Sequence, residues 1–101
     1  MMLKVGEHLV GIAKIDDDIL MVSTAEEWHI FKAVGDWGHP AWVESINNGE
    51  FVKQGEILEI RDDGWHFMIR TANGYNDIEL RVEWGYEGEF RELPYQVAYN
   101  R

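Results

Sequence analysis

Residues 62–84 read DDGWHFMIRTANGYNDIELRVEW. Two pairs in this stretch, Asp63-Gly64 and Asn73-Gly74, have the composition of two-residue hairpin turns. Type I′ turns need positive φ at both central residues, which Asp-Gly and Asn-Gly tolerate. Placing Asp63-Gly64 at the first turn sets Ile60 against Phe67 and Leu58 against Ile69. Placing Asn73-Gly74 at the second sets Ile69 against Ile78, Phe67 against Leu80 and Trp65 against Val82. The two turns are independent, yet both turn the same residues of the middle strand inward. A slip of one residue would send that whole set to the other face. The predicted core is therefore Trp65, Phe67, Ile69, Ile78, Leu80 and Val82. On the outer face the same register sets Arg70 opposite Asp77 and His66 between Arg61 and Arg81.

Working outward, strands are predicted near 56–61, 65–71 and 77–84. Residues 8–23, HLVGIAKIDDDILMVS, read as strand, turn and strand, with Asp16 to Asp18 as turn chemistry. Residues 24–34 admit two readings. Ser23 with Glu26, or Thr24 with Glu27, has capping-box spacing, and Gly35 suits a helix stop. Trp28 to Val34 is also rich in aromatic and β-branched residues, which favours a strand, and the strand is preferred. Farther on, Pro40 suits a first helical position and Asn48 or Gly49 a stop. Trp42, Val43 and Ile46 would share one stripe, so a short helix over 40–48 is expected to pack on the sheet. Residues 89–99 read as a last strand or arm, limited by Pro94 to an edge or a bend. The expected fold is one α+β domain over 1–101: a mainly antiparallel twisted sheet of five to six strands with one short helix. A small, partly closed β-barrel is the alternative.

Composition narrows the function. Nine basic residues against 19 acidic ones give a net charge of −10, so nucleic acid and anionic membranes repel this chain. Basic protein surfaces attract it. A hydrophobic share of 46% argues for a packed domain rather than disorder. There is no cysteine, which removes disulfides and thiolate chemistry. The N-terminal apolar run is too short for a signal peptide, and nothing approaches the roughly 18 apolar residues of a membrane span. A cytoplasmic protein is expected.

Motifs for chemistry are sparse. His8, His29, His39 and His66 show no metal-ligand spacing. Ser23, Thr24 and Ser45 read as caps or element residues rather than nucleophiles. The glycine pairs are turns, not phosphate loops. No cofactor, metal or catalytic residue is expected, and the chain reads as non-enzymatic.

The remaining signal is charge placement. The expected register returns the end of the third strand beside the Asp62-Asp63 turn. It would gather Asp62, Asp63, Glu83, Glu87 and Glu89 around Trp84 and Tyr86, an acidic rim about aromatic anchors. The expected function is a small acidic protein-interaction module, an inhibitor or decoy docking on the basic, nucleic-acid-binding surface of a larger protein. Phage and mobile-element inhibitors and toxin-immunity proteins use the same physics, with carboxylates standing in for phosphates. The alternatives are a structural or oligomerising accessory protein, and a small-ligand binder or enzyme with carboxylate chemistry.

Overall fold

The computed structural model describes residues 2–16, 18–36, 41–44, 52–63, 66–81 and 87–94. Their strands are β1 (His8–Asp16), β2 (Ile19–Thr24), β3 (Trp28–Asp36), β4 (Ala41–Glu44), β5 (Gly55–Asp62), β6 (His66–Thr71), β7 (Gly74–Arg81) and β8 (Glu87–Glu92). They form one sheet in the order β4-β7-β6-β5-β1-β2-β3-β8, and all seven pairings are antiparallel. Among the described residues β4 and β8 are its edges and do not pair with each other, so this sheet is not closed and the barrel expectation is corrected.

The expectation of an α+β domain with five to six strands and a helix over 40–48 is corrected as well: eight strands are described, and residues 40 and 45–48 lie outside the described residues. Among the described residues there is no helix, and Ala41 to Glu44 pair with Arg81 to Ile78 as an edge strand. The misreading has a physical source. A proline just before a segment suits the start of an edge strand as well as a first helical turn. Trp42 and Val43 are also better strand formers than helix formers.

Residues 24–34 follow the strand reading, and the capping-box spacing serves a different end. The Glu27 N–H donates to Thr24 Oγ1 (3.0 Å), and the Thr24 N–H donates to the Glu27 carbonyl (2.9 Å). The side-chain bond that would cap a helix closes the tight turn between β2 and β3 instead.

The opening stretch has the expected strands in a different register. Ile60 faces Ile69 and Asp62 faces Phe67; Phe67 faces Ile78 and Ile69 faces Asn76. Each pairing is displaced by two residues from the expected one. Since no described non-glycine residue has positive φ, neither Asp63 nor Asn73 takes the type I′ conformation. Just past the last ladder pair, Asp62 with Phe67, the Asp63 N–H donates to the His66 carbonyl (2.8 Å). Ala72 and Asn73 form the second turn, and Gly74, at φ 136°, opens β7 opposite Thr71. A two-residue displacement preserves side-chain parity, so Phe67, Ile69 and Ile78 are buried as expected. Leu58 instead becomes exposed. The β5–β6 register shifts once more between Ile57 and Glu59, and that shift turns Ile57 into the core. On the outer face Arg70 meets Glu59 (3.2 Å) rather than Asp77, and His66 meets Asp77 (3.2 Å) rather than two arginines. Trp65 and Val82 lie outside the described residues.

Asn76 explains part of the new register. Fully buried, it accepts from the Lys53 N–H (2.8 Å) and donates to the Lys53 carbonyl (3.2 Å). The segment before β5 is thereby pinned to β7. Replacing Asn76 by leucine is expected to cost about 1–3 kcal/mol, because the Lys53 N–H loses its acceptor in a half-buried site. Urea denaturation measures this, and an unchanged midpoint would contradict the pinning role.

The sheet folds over its own core. Phe67 on β6 packs against Phe31 on β3, with ring centroids 4.7 Å apart, and edge-on against Phe90 on β8 at 5.9 Å. β6 and β3 are four strands apart in the sheet order. A flat sheet, at about 4.8 Å per strand, would separate them by about 19 Å. The shortest joint in the sheet is β1–β5, where only His8 and Leu9 pair with Glu56 and Gly55. Leu9, Leu20, Val22, Ile57, Ile69 and Ile78 complete the core between the two halves. The segment before β1 crosses one end of this core. Leu3 is buried, and its N–H donates to Glu92 Oε1 at the end of β8 (2.7 Å). The Gly6 N–H donates to the Ile57 carbonyl (2.9 Å), tying the same segment to β5.

Candidate functional site

The acidic group read from the sequence is distributed as follows. Asp62 and Asp63 are both exposed at the β5–β6 hairpin. β7 ends at the same end of the sheet, since Glu79 pairs with His66. Glu87 and Glu89 lie in β8, paired with Asp36 and Val34, four positions from β5 in the strand order. Glu83, Trp84 and Tyr86 lie outside the described residues.

A second group, not anticipated from the sequence, lies inside the fold. The alternation of β3 puts His29, Phe31 and Ala33 on its inner face, and all three are buried. His29 pairs with Val22 of β2, another core residue. Glu92 pairs with Phe31 and so reaches the same face at the end of β8. Glu7 arrives from the segment before β1 and Glu27 from the β2–β3 turn.

These side chains converge on one imidazole. His29 Nδ1 lies 2.8 Å from Glu92 Oε2, and Nε2 lies 2.9 Å from Glu7 Oε1 and 3.7 Å from Glu27 Oε1. The His29 side chain is fully enclosed. Hydrogen bonds to carboxylates at both ring nitrogens require both to carry protons, which is the imidazolium form. Backbone and hydroxyl donors fix the carboxylates in turn. Glu7 Oε2 accepts from the Lys4 N–H (2.7 Å), and Glu7 Oε1 accepts from the Thr24 hydroxyl (2.9 Å). Glu92 Oε1 accepts from the Leu3 N–H (2.7 Å).

The electrostatics follow from this geometry. Burial disfavours the charged imidazole, but the hydrogen bonds and charges of Glu92 and Glu7 outweigh it and hold His29 above its ordinary value. Burial likewise pushes the Glu7 carboxyl up. Hydrogen bonds from His29, Lys4 and Thr24, with the imidazolium charge, overcome it and leave Glu7 below the ordinary carboxylate value. One ligand atom each from Glu7, Glu27 and His29 lies within 4.8 Å of the others, a separation that one cation could span.

The sequence signal for this group was faint. His29 falls on the apolar face of WHIFKAV. A histidine there needs buried partners, but Glu7 and Glu92 reach it only through the strand order. Among the described residues no helix is long and apolar enough to cross a membrane. No protein-family model matches the chain, and neither the curated proteins nor the solved structures include a significant match.

Proposed function

We propose that this chain is a small, non-enzymatic, acidic interaction module that docks on a basic surface of a larger cytoplasmic protein, one that ordinarily holds nucleic acid. The observation that carries the reading is the disposition of charge. While Glu7 and Glu92 are taken up by His29, Asp16, Asp18, Glu26, Glu27, Glu56, Glu59, Asp62, Asp63 and Asp77 all reach solvent at least in part. Asp62 and Asp63 stand next to each other, exposed at a hairpin end. With a net charge of −10, such a surface steers toward arginine and lysine clusters and away from nucleic acid. Glu83, Trp84, Tyr86, Glu87 and Glu89 complete the proposed docking set.

Reversing both charges, Asp62→Lys with Asp63→Lys, tests this. The variant is expected to fold as the wild type, since both positions are exposed. Its association with a basic protein captured from lysate should slow by about tenfold or more, as should that of the wild type when salt is raised. Nucleic acid should compete for the captured protein. Retention of the same partner by the reversed variant at high salt would rule the reading out.

The strand order supports a second reading, self-assembly through β4, which is an edge among the described residues, since strand edges are templates for pairing. Light scattering separates the two: a stable oligomer of the chain alone favours assembly. The sequence of β8, EGEFRE, is charged, which weakens edge-to-edge pairing of that strand.

A further inference from the structure

We infer that Glu7, Glu27 and His29 form a binding site for a zinc-type divalent cation, with Glu92 behind the imidazole as its orienting partner. Metal-bound histidines characteristically donate their other ring N–H to a carboxylate, which fixes the tautomer and aims the free nitrogen. Glu92 on Nδ1 at 2.8 Å provides this, and Nε2 is aimed at two carboxylates. The spacing is suitable. Ligands at about 2.0–2.2 Å in tetrahedral array lie about 3.4 Å from one another. Nε2 is 2.9 Å from the Glu7 oxygen and 3.7 Å from the Glu27 oxygen, so the required separation falls between the two. The ion takes the place of the Nε2 proton with small side-chain shifts.

Charge argues the same way. Three carboxylates against one imidazolium formally leave two negative charges unbalanced. Exchanging the Nε2 proton for a divalent ion leaves one. Glu7 is held in place by Lys4 and Thr24, so little ordering remains to be done on binding. Glu27 is the most exposed of the three and marks the entry side, where water completes the coordination. A nitrogen ligand beside carboxylates suits zinc and its neighbours, whereas magnesium and calcium favour all-oxygen sites. The site joins the segment before β1, the β2–β3 turn and β3, and through Glu92 it reaches β8.

Calorimetry and thermal melts of the metal-free full chain with zinc test the site. One zinc ion per chain should bind, raise the melting temperature and release a proton, seen as a heat that varies with the buffer. Magnesium should do none of the three. Glu27→Gln leaves the Glu7–His29–Glu92 hydrogen bonds in place. It should melt like the wild type without zinc and bind zinc about tenfold or more weakly. Overturning results are a melting temperature indifferent to millimolar zinc, an equal response to magnesium, or undiminished zinc binding by Glu27→Gln.

Discussion

Replacing His29 by leucine is expected to cost about 3–5 kcal/mol of stability in metal-free protein near pH 6, because it leaves two enclosed carboxylates without their cation. Glu7 loses its 2.9 Å partner and Glu92 its 2.8 Å partner. The backbone donors of Lys4 and Leu3 remain, but they supply no full charge. The pH dependence distinguishes this from a simple packing defect. In the wild type His29 titrates above its ordinary value of 6.5. Its contribution is fully present below that pH and is lost as pH rises through the elevated folded value. Glu7 titrates below its ordinary 4.5, so its contribution is present above that pH and is lost as pH falls through the depressed folded value. The wild type should therefore be most stable between these two ordinary values. In His29→Leu the stranded carboxyls favour protonation in the folded state, so the deficit should narrow on acidification. Urea denaturation at pH 4, 6 and 8 measures this. A deficit independent of pH would mean that the ring acts by shape alone.

Replacing Phe67 by alanine should be comparably severe, at about 3–5 kcal/mol. Its ring is 1% exposed and touches aromatic rings on β3 and β8. It is thus part of the contact that holds the two halves of the sheet together, and truncation leaves a cavity at that seam. For a domain of this size the melting temperature should fall by roughly 15 °C or more. Tyr75, 60% exposed on the next strand, serves as the control: Tyr75→Ala should change stability by no more than about 0.5 kcal/mol. Equal melting temperatures for the two variants would refute the assignment of Phe67 to the seam.

The particular elements show what the sequence could convey. The inward set Phe67, Ile69 and Ile78 was legible because side-chain parity survives a two-residue displacement. The register itself was not. Asp-Gly and Asn-Gly permit a type I′ turn but do not compel it, and the buried Asn76 found its partner in Lys53, outside the hairpin. The supposed helix over 40–48 rested on Pro40, which suits an edge strand as well, and on a short stripe whose first two residues, Trp42 and Val43, lie in β4. Capping-box spacing leaves Ser23 with Glu26 and Thr24 with Glu27 both open; Thr24 bonds Glu27, and the turn they close joins two strands rather than starting a helix. His29 shows no metal-ligand spacing in the sequence, and its partners could not be found by local spacing. Its partners are 22 and 63 residues away and meet it only after the sheet has folded over. Charge was legible as a total. Which acids face a partner depends on that same long-range assembly.

The segment before β1 has a consequence for how the chain reaches this state. The Leu3 N–H bond to Glu92 closes a separation of 89 residues. The entropic cost of such closure grows only logarithmically, about 0.6 kcal/mol for each doubling of length, so the bond is affordable at equilibrium. Kinetically the situation differs, since folds dominated by distant pairings form in milliseconds to seconds. On the ribosome, Glu7 can meet His29 once β3 has emerged, but Leu3 and His29 must wait for β8 to bring Glu92. Until then the β1–β2–β3 meander exposes its inner face, with His29 facing no Glu92. The interval between synthesis of β3 and synthesis of β8 is when this chain is most open to aggregation or to capture by a chaperone.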